Sequence, residues 1–413
     1  MIDRLRKFVD RNIDEIATDR ALKIYGACLA LTHLLSLYNW KTFLLAAVVI
    51  ARDTDPICWP FFEHCEVFRL LSVSVADGLL WIYGAAAVAA LALFLSAHRI
   101  RAAYATLIAV EIFKLFILLQ DYRLRQNHHY MALFTSAAFL FFPDKKKLLQ
   151  YLLVFFYFWA GTLKLNSGWL SGDNLYPGRP WPFYGRGVAA ACGYVVFLEL
   201  VAVWGVLARR PLLFWAVFCQ LILFHLVSWS VVGPFYPLLM FSLLAIFPLN
   251  RLLSGSAGGL LPDLIEGRER IATYFALGFL SLLQLFPYAY PGDNNLRGEG
   301  RLFSLYMFHA RNACAAHLVL HYKNGRLQTV DVSDVPMTLT RVKCEPTVFY
   351  NVAKNWCRKL ASSANFLDLD LYLDAARARS STLKPLIAQK NFCRAGLKNR
   401  LFGSNSWILT AEP

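Results

Sequence analysis

Residues 152–181 read LLVFFYFWAGTLKLNSGWLSGDNLYPGRPW. The run is apolar enough to lie in a bilayer, yet it places a single lysine, Lys164, in its last turn. An ammonium group costs about 2.5–3.5 kcal/mol at the centre of a span and less near its edge. Something must offset that cost, so the stretch predicts a membrane fold and marks Lys164 as a position to explain.

The composition agrees. Hydrophobic residues make up 57% of the 413 and charged residues 17%, and the mean hydropathy is +0.44. A soluble domain averages about 45–50% apolar and about 25% charged, so these values define an integral membrane protein. Long apolar runs broken by charged or Pro/Gly-rich joints predict about nine transmembrane helices. They lie near 21–40, 79–97, 104–120, 130–142, 148–165, 188–207, 211–229, 234–249 and 271–287. Runs 130–142 and 234–249 are short for a crossing, and 41–50 either prolongs the first span or lies in the interface. The opening MIDRLRKFVDRNIDEIATDR is polar and helical in pattern, which predicts an interfacial helix over 1–20 and no cleavable signal. Three parts follow: 1–20, a transmembrane domain over 21–290, and 291–413.

Lys and Arg set the orientation. With the N-terminus cytoplasmic, the inner loops are 98–101 (HRIR), 144–147 (DKKK), Arg209-Arg210, and the 250–270 joint with Arg251, Arg268 and Arg270. That is the positive-inside pattern. Residues 51–78, 121–129, 166–187 and everything after 288 are then expected outside. Cys28, Cys192 and Cys219 fall in spans, whereas Cys58, Cys65, Cys314, Cys344, Cys357 and Cys393 fall outside. An even set in an oxidising compartment predicts disulfides, among whose possible pairings the sequence does not choose.

Beyond residue 288 the pattern becomes that of a small extracytoplasmic α+β domain. HLVLHYKNGRLQTVDVSD (317–334) alternates around Asn324-Gly325, a hairpin signal. Segments 348–361 and 367–379 read as helices, the second crowded with Leu367, Leu369, Leu371 and Leu373. Residues 291–413 hold 17 Lys and Arg against 9 Asp and Glu, a net +8 of the chain's +15. Such a surface suits an acidic peptide or anionic headgroups, or is a solvated basic face. No nucleic acid is expected for a domain placed outside.

Polar residues inside the spans mark function more often than in soluble cores. Glu111 and Lys114, spaced i,i+3 in EIFKLF, predict an ion pair. Glu199 has no local partner and either bonds a neighbouring helix or faces a polar cavity. Lys164, His128 with His129 in NHHY (127–130), and His225 in LILFHLVSW fall at one expected depth. Singly, they could be a snorkelling lysine, a loop histidine and a hydrogen-bonded interior histidine. Together, an amine and imidazoles at one depth point to proton handling.

These residues carry a resemblance. FYFWAGTLKLNSGWLSG resembles the segment around the active-site lysine of the vitamin K-dependent γ-glutamyl carboxylases. NHHY is similar to that family's Asn-His-x-Tyr, and LFH (223–225) to its Phe-His. YPGDNNLRGEGRLFSLYMF (290–308) is similar to the segment after the last span of the wider horizontally transferred transmembrane (HTTM) superfamily. Order and spacing agree from about residue 20 to 310.

The resemblance implies that Lys164 is the base, that His128 and His225 orient quinol oxygens or move protons, and that Phe158 and Trp159 line the cofactor. It implies reduced vitamin K or a menaquinol-like naphthohydroquinone, with O2 and CO2 as co-substrates and no metal. Epoxidation of the quinone would then drive removal of a proton from the γ-carbon of a peptidyl glutamate, which adds CO2. Burial would favour the neutral, basic form of Lys164. Departures are Leu163, where the family has a second lysine, Leu305, where it has Trp, and a chain much shorter than the animal enzyme. Fold and quinol chemistry therefore transfer better than the carboxylation substrate. Two alternatives stand beside this one: an HTTM-type quinone-dependent oxidoreductase or secreted-peptide maturation protein without carboxylation, and a non-catalytic lipid or peptide transporter. His317 and His321 flank LVL in an expected strand with no completing ligand, so no metal site is read there.

Overall fold

The computed structural model describes residues 2–44, 46–51, 54–62, 65, 67–96, 98–175, 182–253, 269–306, 312–335, 342–377 and 382–410. It is mostly helical, with a small antiparallel sheet toward the C-terminus. Among the described residues seven helices are long and apolar enough to cross a membrane: Arg20–Thr42, Val73–Leu95, Ile100–Leu119, Arg186–Leu207, Pro211–Val232, Phe235–Leu253 and Ile271–Ala289. The other two expected spans are helical as well. Asn127–Phe141 has 15 residues, about 22 Å at ~1.5 Å each and short of a hydrocarbon core of about 30 Å. Lys145–Leu163 opens on three lysines.

The chain divides into two compact units, each assembled from separated segments. One comprises Met1–Phe43, Gly78–Phe116 and Gln126–Leu282; the other comprises Leu44–Asp77, Ile117–Arg125 and Leu283–Pro413.

In the first unit, the helix Ile2–Thr18 stops at Asp19, whose carboxylate accepts from the backbone N–H groups of Ala21 and Leu22 and so caps the next helix. The same end of the unit holds two of the three lysines that open Lys145–Leu163. Lys146 pairs with Asp19 at 2.6 Å, and Glu15 accepts from the backbone N–H of Lys145 at 2.7 Å. At Gly161 a Cβ would lie 2.9 Å from Glu199 Cβ and 3.0 Å from Leu200 Cγ. Two apolar helices approach this closely where the contact residue has no side chain.

In the second unit, four strands form a sheet ordered β2-β1-β3-β4, every neighbour antiparallel: β1 Asn312–Tyr322, β2 Leu327–Asp331, β3 Phe366–Arg377 and β4 Lys384–Gln389. The expected Asn324-Gly325 hairpin joins β1 to β2, with Gly325 at φ +79°, a conformation glycine adopts without steric cost. The helix Pro346–Leu360 packs Phe349, Tyr350 and Ala353 against Leu318, Leu320, Leu369 and Leu371. Residues 367–379 are not the helix the sequence reading gives them: as far as Arg377 they belong to β3. Leu369, Leu371, Leu373 and Ala375 are all fully buried, a period of two that a helix would scatter around its circumference. All six expected cysteines pair, as Cys58–Cys65, Cys314–Cys344 and Cys357–Cys393. Cys28, Cys192 and Cys219 are free.

Candidate functional site

The helix Lys145–Leu163 is capped by Lys164, whose backbone N–H bonds Gly161 O at 3.0 Å. Orphan carbonyls at a helix C-terminus favour a cation there. The Lys164 side chain is 2% exposed, and its Nζ donates to both carboxylate oxygens of the equally buried Glu199, at 2.7 and 2.5 Å. Asn166 then turns the chain. Its side chain accepts from the backbone N–H of Trp169, whose ring centroid lies 5.2 Å from Lys164 Nζ and whose indole N–H donates to Cys192 O. The conspicuous residues of AGTLKLNSGW are accounted for in this way. Gly161 admits the neighbouring helix, Lys164 bonds Glu199 on it, and Trp169 faces the amine.

The expectation of a lone amine held neutral by burial alone is corrected: Lys164 belongs to a hydrogen-bonded pair. Of the two alternatives for Glu199, the structure has the bond to a neighbouring helix. A carboxylate offsets the burial of an ammonium. Such a pair also has a second state, amine and carboxylic acid, in which no charge is left buried.

His225 is buried beside this pair. Its Nε2 is 2.5 Å from Tyr157 Oη, and its Nδ1 has no hydrogen-bond partner. Ring centroids of Phe224, Tyr236, Tyr157 and Phe241 surround it at 4.9, 5.7, 5.9 and 6.3 Å. Lys164 is within electrostatic reach of His225, and Glu199 of Tyr157 and Tyr236. Lys164 and His225 are thus coupled electrostatically. The His128 ring packs at 4.3 Å on His129 and at 4.3 Å on Phe235, the residue before Tyr236. Phe158 packs on Phe155, Trp159 and Trp204, and Trp159 donates to Ser281 Oγ at 3.0 Å.

A second polar group lies in the same unit. His33 Nε2 is 3.1 Å from Glu111 Oε1, and His33 Nδ1 is 2.8 Å from Tyr83 Oη. Glu111 therefore takes its partner from another helix and not from Lys114, whose buried Nζ has no hydrogen-bond partner. The i,i+3 pair expected from the sequence is corrected accordingly. Sequence reasoning passed over Tyr157, Tyr236 and His33. A signal existed for the first, since Tyr157 and Lys164 are seven apart, two turns along one helix face.

Outside the spans, His321 pairs with Asp370 at 3.0 Å and His317 stacks on Tyr372. Among the described residues no group of three or more His, Cys, Asp or Glu is placed to hold a metal ion.

The chain matches no family model, no curated protein and no solved structure.

Proposed function

We propose that the protein is a membrane-embedded, quinol-dependent enzyme of the vitamin K-dependent γ-glutamyl carboxylase type. It would use a reduced naphthohydroquinone with O2 and CO2 and act on glutamate in an acidic peptide or protein. The observation that carries the proposal is the buried Lys164–Glu199 pair within electrostatic reach of the buried His225; the amine of that pair would serve as the proton acceptor.

The groups that would hold a flat hydroquinone head are the aromatic rings around His225 and its buried Nδ1, which has no hydrogen-bond partner. When bound, the quinol supplies the oxidisable ring whose reaction with O2 drives the chemistry. Passage of a proton from Lys164 Nζ to a Glu199 carboxylate oxygen leaves a neutral amine able to accept another. His225, fixed through Nε2 by Tyr157, presents Nδ1 as the orienting atom. Tyr157, Tyr236 and Phe241 keep the imidazole out of water.

The proposal includes nine spans, a cytoplasmic N-terminus and an extracytoplasmic 291–413. Its supports are the Lys and Arg pattern of the short loops and six paired cysteines, which belong to an oxidising compartment.

The test is epoxide formation and O2 uptake by purified protein given a reduced naphthoquinone, with Lys164→Ala alongside. Wild type is expected to form epoxide and the variant to lose it; labelled CO2 then appears as carboxyglutamate in a Glu peptide. O2 uptake without carboxyglutamate moves the assignment to an oxidoreductase. No epoxide from folded wild type, across several quinones and with the peptide present, overturns it.

A further inference from the structure

Two buried carboxylates of the second unit each face two guanidiniums. Asp121 takes two guanidiniums, Arg69 at 2.8 Å and Arg123 at 2.7 Å. Glu345 takes two more, Arg125 at 2.9 Å and Arg301 at 3.4 Å. Each group sets two cations against one carboxylate.

The first group draws on neighbouring oxygens. Arg69 Nη1 donates to Ala51 O at 2.9 Å and to Thr54 Oγ1 at 2.7 Å, and Arg123 Nη2 donates to Asp55 O at 2.8 Å. Carbonyl and hydroxyl dipoles there absorb the surplus.

The second group is least satisfied at Arg301. Arg125 is held by Glu345, by Tyr122 Oη and by the backbone carbonyl of Arg301. Arg301 is 1% exposed. Its Nη2 has the single 3.4 Å contact to Glu345, and its Nε and Nη1 are buried with no acceptor. A guanidinium carries five N–H donors, has no acceptor and does not shed its charge in proteins. Buried donors of this kind are met by protein, water or a bound group.

The loop is shaped around this side chain. Gly298 and Gly300 have φ +69° and +70°. A Cβ at Gly298 would come within 2.9 Å of Arg301 Nη2 and 3.3 Å of Glu345 Cγ. Gly298 thus brings the backbone against the charge, whereas a Cβ at Gly300 would meet Tyr290 Cε2 at 2.6 Å and Pro287 Cα at 3.0 Å. Tyr306 lies on another side, its ring centroid 5.7 Å from Arg301 Cζ.

We propose that Arg301 Nε and Nη1 hold a small, free, monovalent oxyanion of the carboxylate class, acetate or hydrogencarbonate in type. Arg125 and Arg301 against Glu345 leave a surplus of one charge, so the missing partner carries one negative charge. Oxygen acceptors on a planar anion match guanidinium N–H donors. The depth of Arg301 selects an anion of a few atoms over a chain-borne group. The site rests on the second unit alone and is independent of the quinol assignment.

The test uses the full chain in detergent, exchanged into sodium chloride. Thermal unfolding is followed while acetate, hydrogencarbonate or inorganic phosphate replaces chloride at constant pH and ionic strength. A saturable rise in the midpoint with acetate or hydrogencarbonate is expected, and the anion saturating at lower concentration identifies the class. Arg301→Gln is expected to weaken the effect at least tenfold. Arg301→Lys keeps the charge but loses the forked donors, and it is expected to weaken it to a similar degree should the Gln variant not fold. No saturable effect with either anion, an equal or larger effect with phosphate, or unchanged affinity in the folded Lys variant overturns the proposal.

Discussion

Lys164 Nζ stands 2.7 and 2.5 Å from the two carboxylate oxygens of Glu199, and both side chains are 2% exposed. Removing one partner leaves the other as an uncompensated buried charge, at a cost of about 3–5 kcal/mol. Lys164→Met and Glu199→Met are each expected to lower stability by that amount in detergent unfolding, and the double variant by much less. Losses that simply add would mean that the two side chains do not act as a pair.

The pair's chemistry can be separated from its electrostatics. Lys164→Arg keeps a cation against Glu199, but a guanidinium does not give up its proton. Near-normal unfolding is expected, together with a fall in quinol-dependent O2 uptake of roughly 100-fold or more, the range for losing a general base. Full activity in this variant would remove Lys164 from the role of base.

Tyr157→Phe deletes the hydroxyl bonded to His225 Nε2, and His225 Nδ1 already lacks a partner. A buried ring with both nitrogens unmet costs about 1–3 kcal/mol. Thermal unfolding should show that loss; an unchanged midpoint would mean that the hydrogen bond contributes nothing.

Leu371 is fully buried in β3, whereas Leu367 in the same strand is 45% exposed. Leu371→Ala is expected to cost about 2–5 kcal/mol, and Leu367→Ala to stay within about 0.5 kcal/mol of wild type. Comparable costs at the two positions would contradict this placement of β3.

Cys357 and Cys393 are 36 residues apart. Replacing both by Ser releases a loop whose closure is worth about 3–4 kcal/mol. A shift of that size in denaturant unfolding is expected, with peptide mapping under non-reducing conditions confirming the wild-type bridge. No shift would mean that the sheet and the helix Pro346–Leu360 hold the loop without it.

What was legible in the sequence was what lies along one element. Apolar runs show the helices, Asn324-Gly325 shows the hairpin, and Lys164 stands out because a lone amine ends an apolar run. The pairing of that amine was not legible: Glu199 lies 35 residues away on another helix, and spacing along one helix says nothing about its neighbour's rotation. Glu111 misled for the same reason, since the nearby Lys114 competes on paper with His33, which arrives from another helix. β3 was misread because DLDLYLDAAR combines a strand's period of two with Ala, Leu and Arg, strong helix formers. Burial on both faces hid the pattern further. Asp368 and Asp370, opposite the leucines, are also buried and accept the backbone N–H groups of Cys393 and Asn391.

The second unit joins residues made early to residues made late. Arg125 meets Glu345 across 220 positions, Cys58 exchanges two hydrogen bonds with Asn351 across 293, and Lys359 reaches Asp55 across 304. During synthesis the segments 44–77 and 117–125 must therefore wait while the apolar helices between them and residue 283 emerge. The Arg125–Glu345 pair cannot form until Glu345 is translated. A stop codon shortly before Glu345 would release a chain with all seven long apolar helices of the described residues and an unclosed second unit. Nonsense changes late in the coding sequence should therefore be as damaging as early ones, and the shortened products should be cleared by membrane proteolysis.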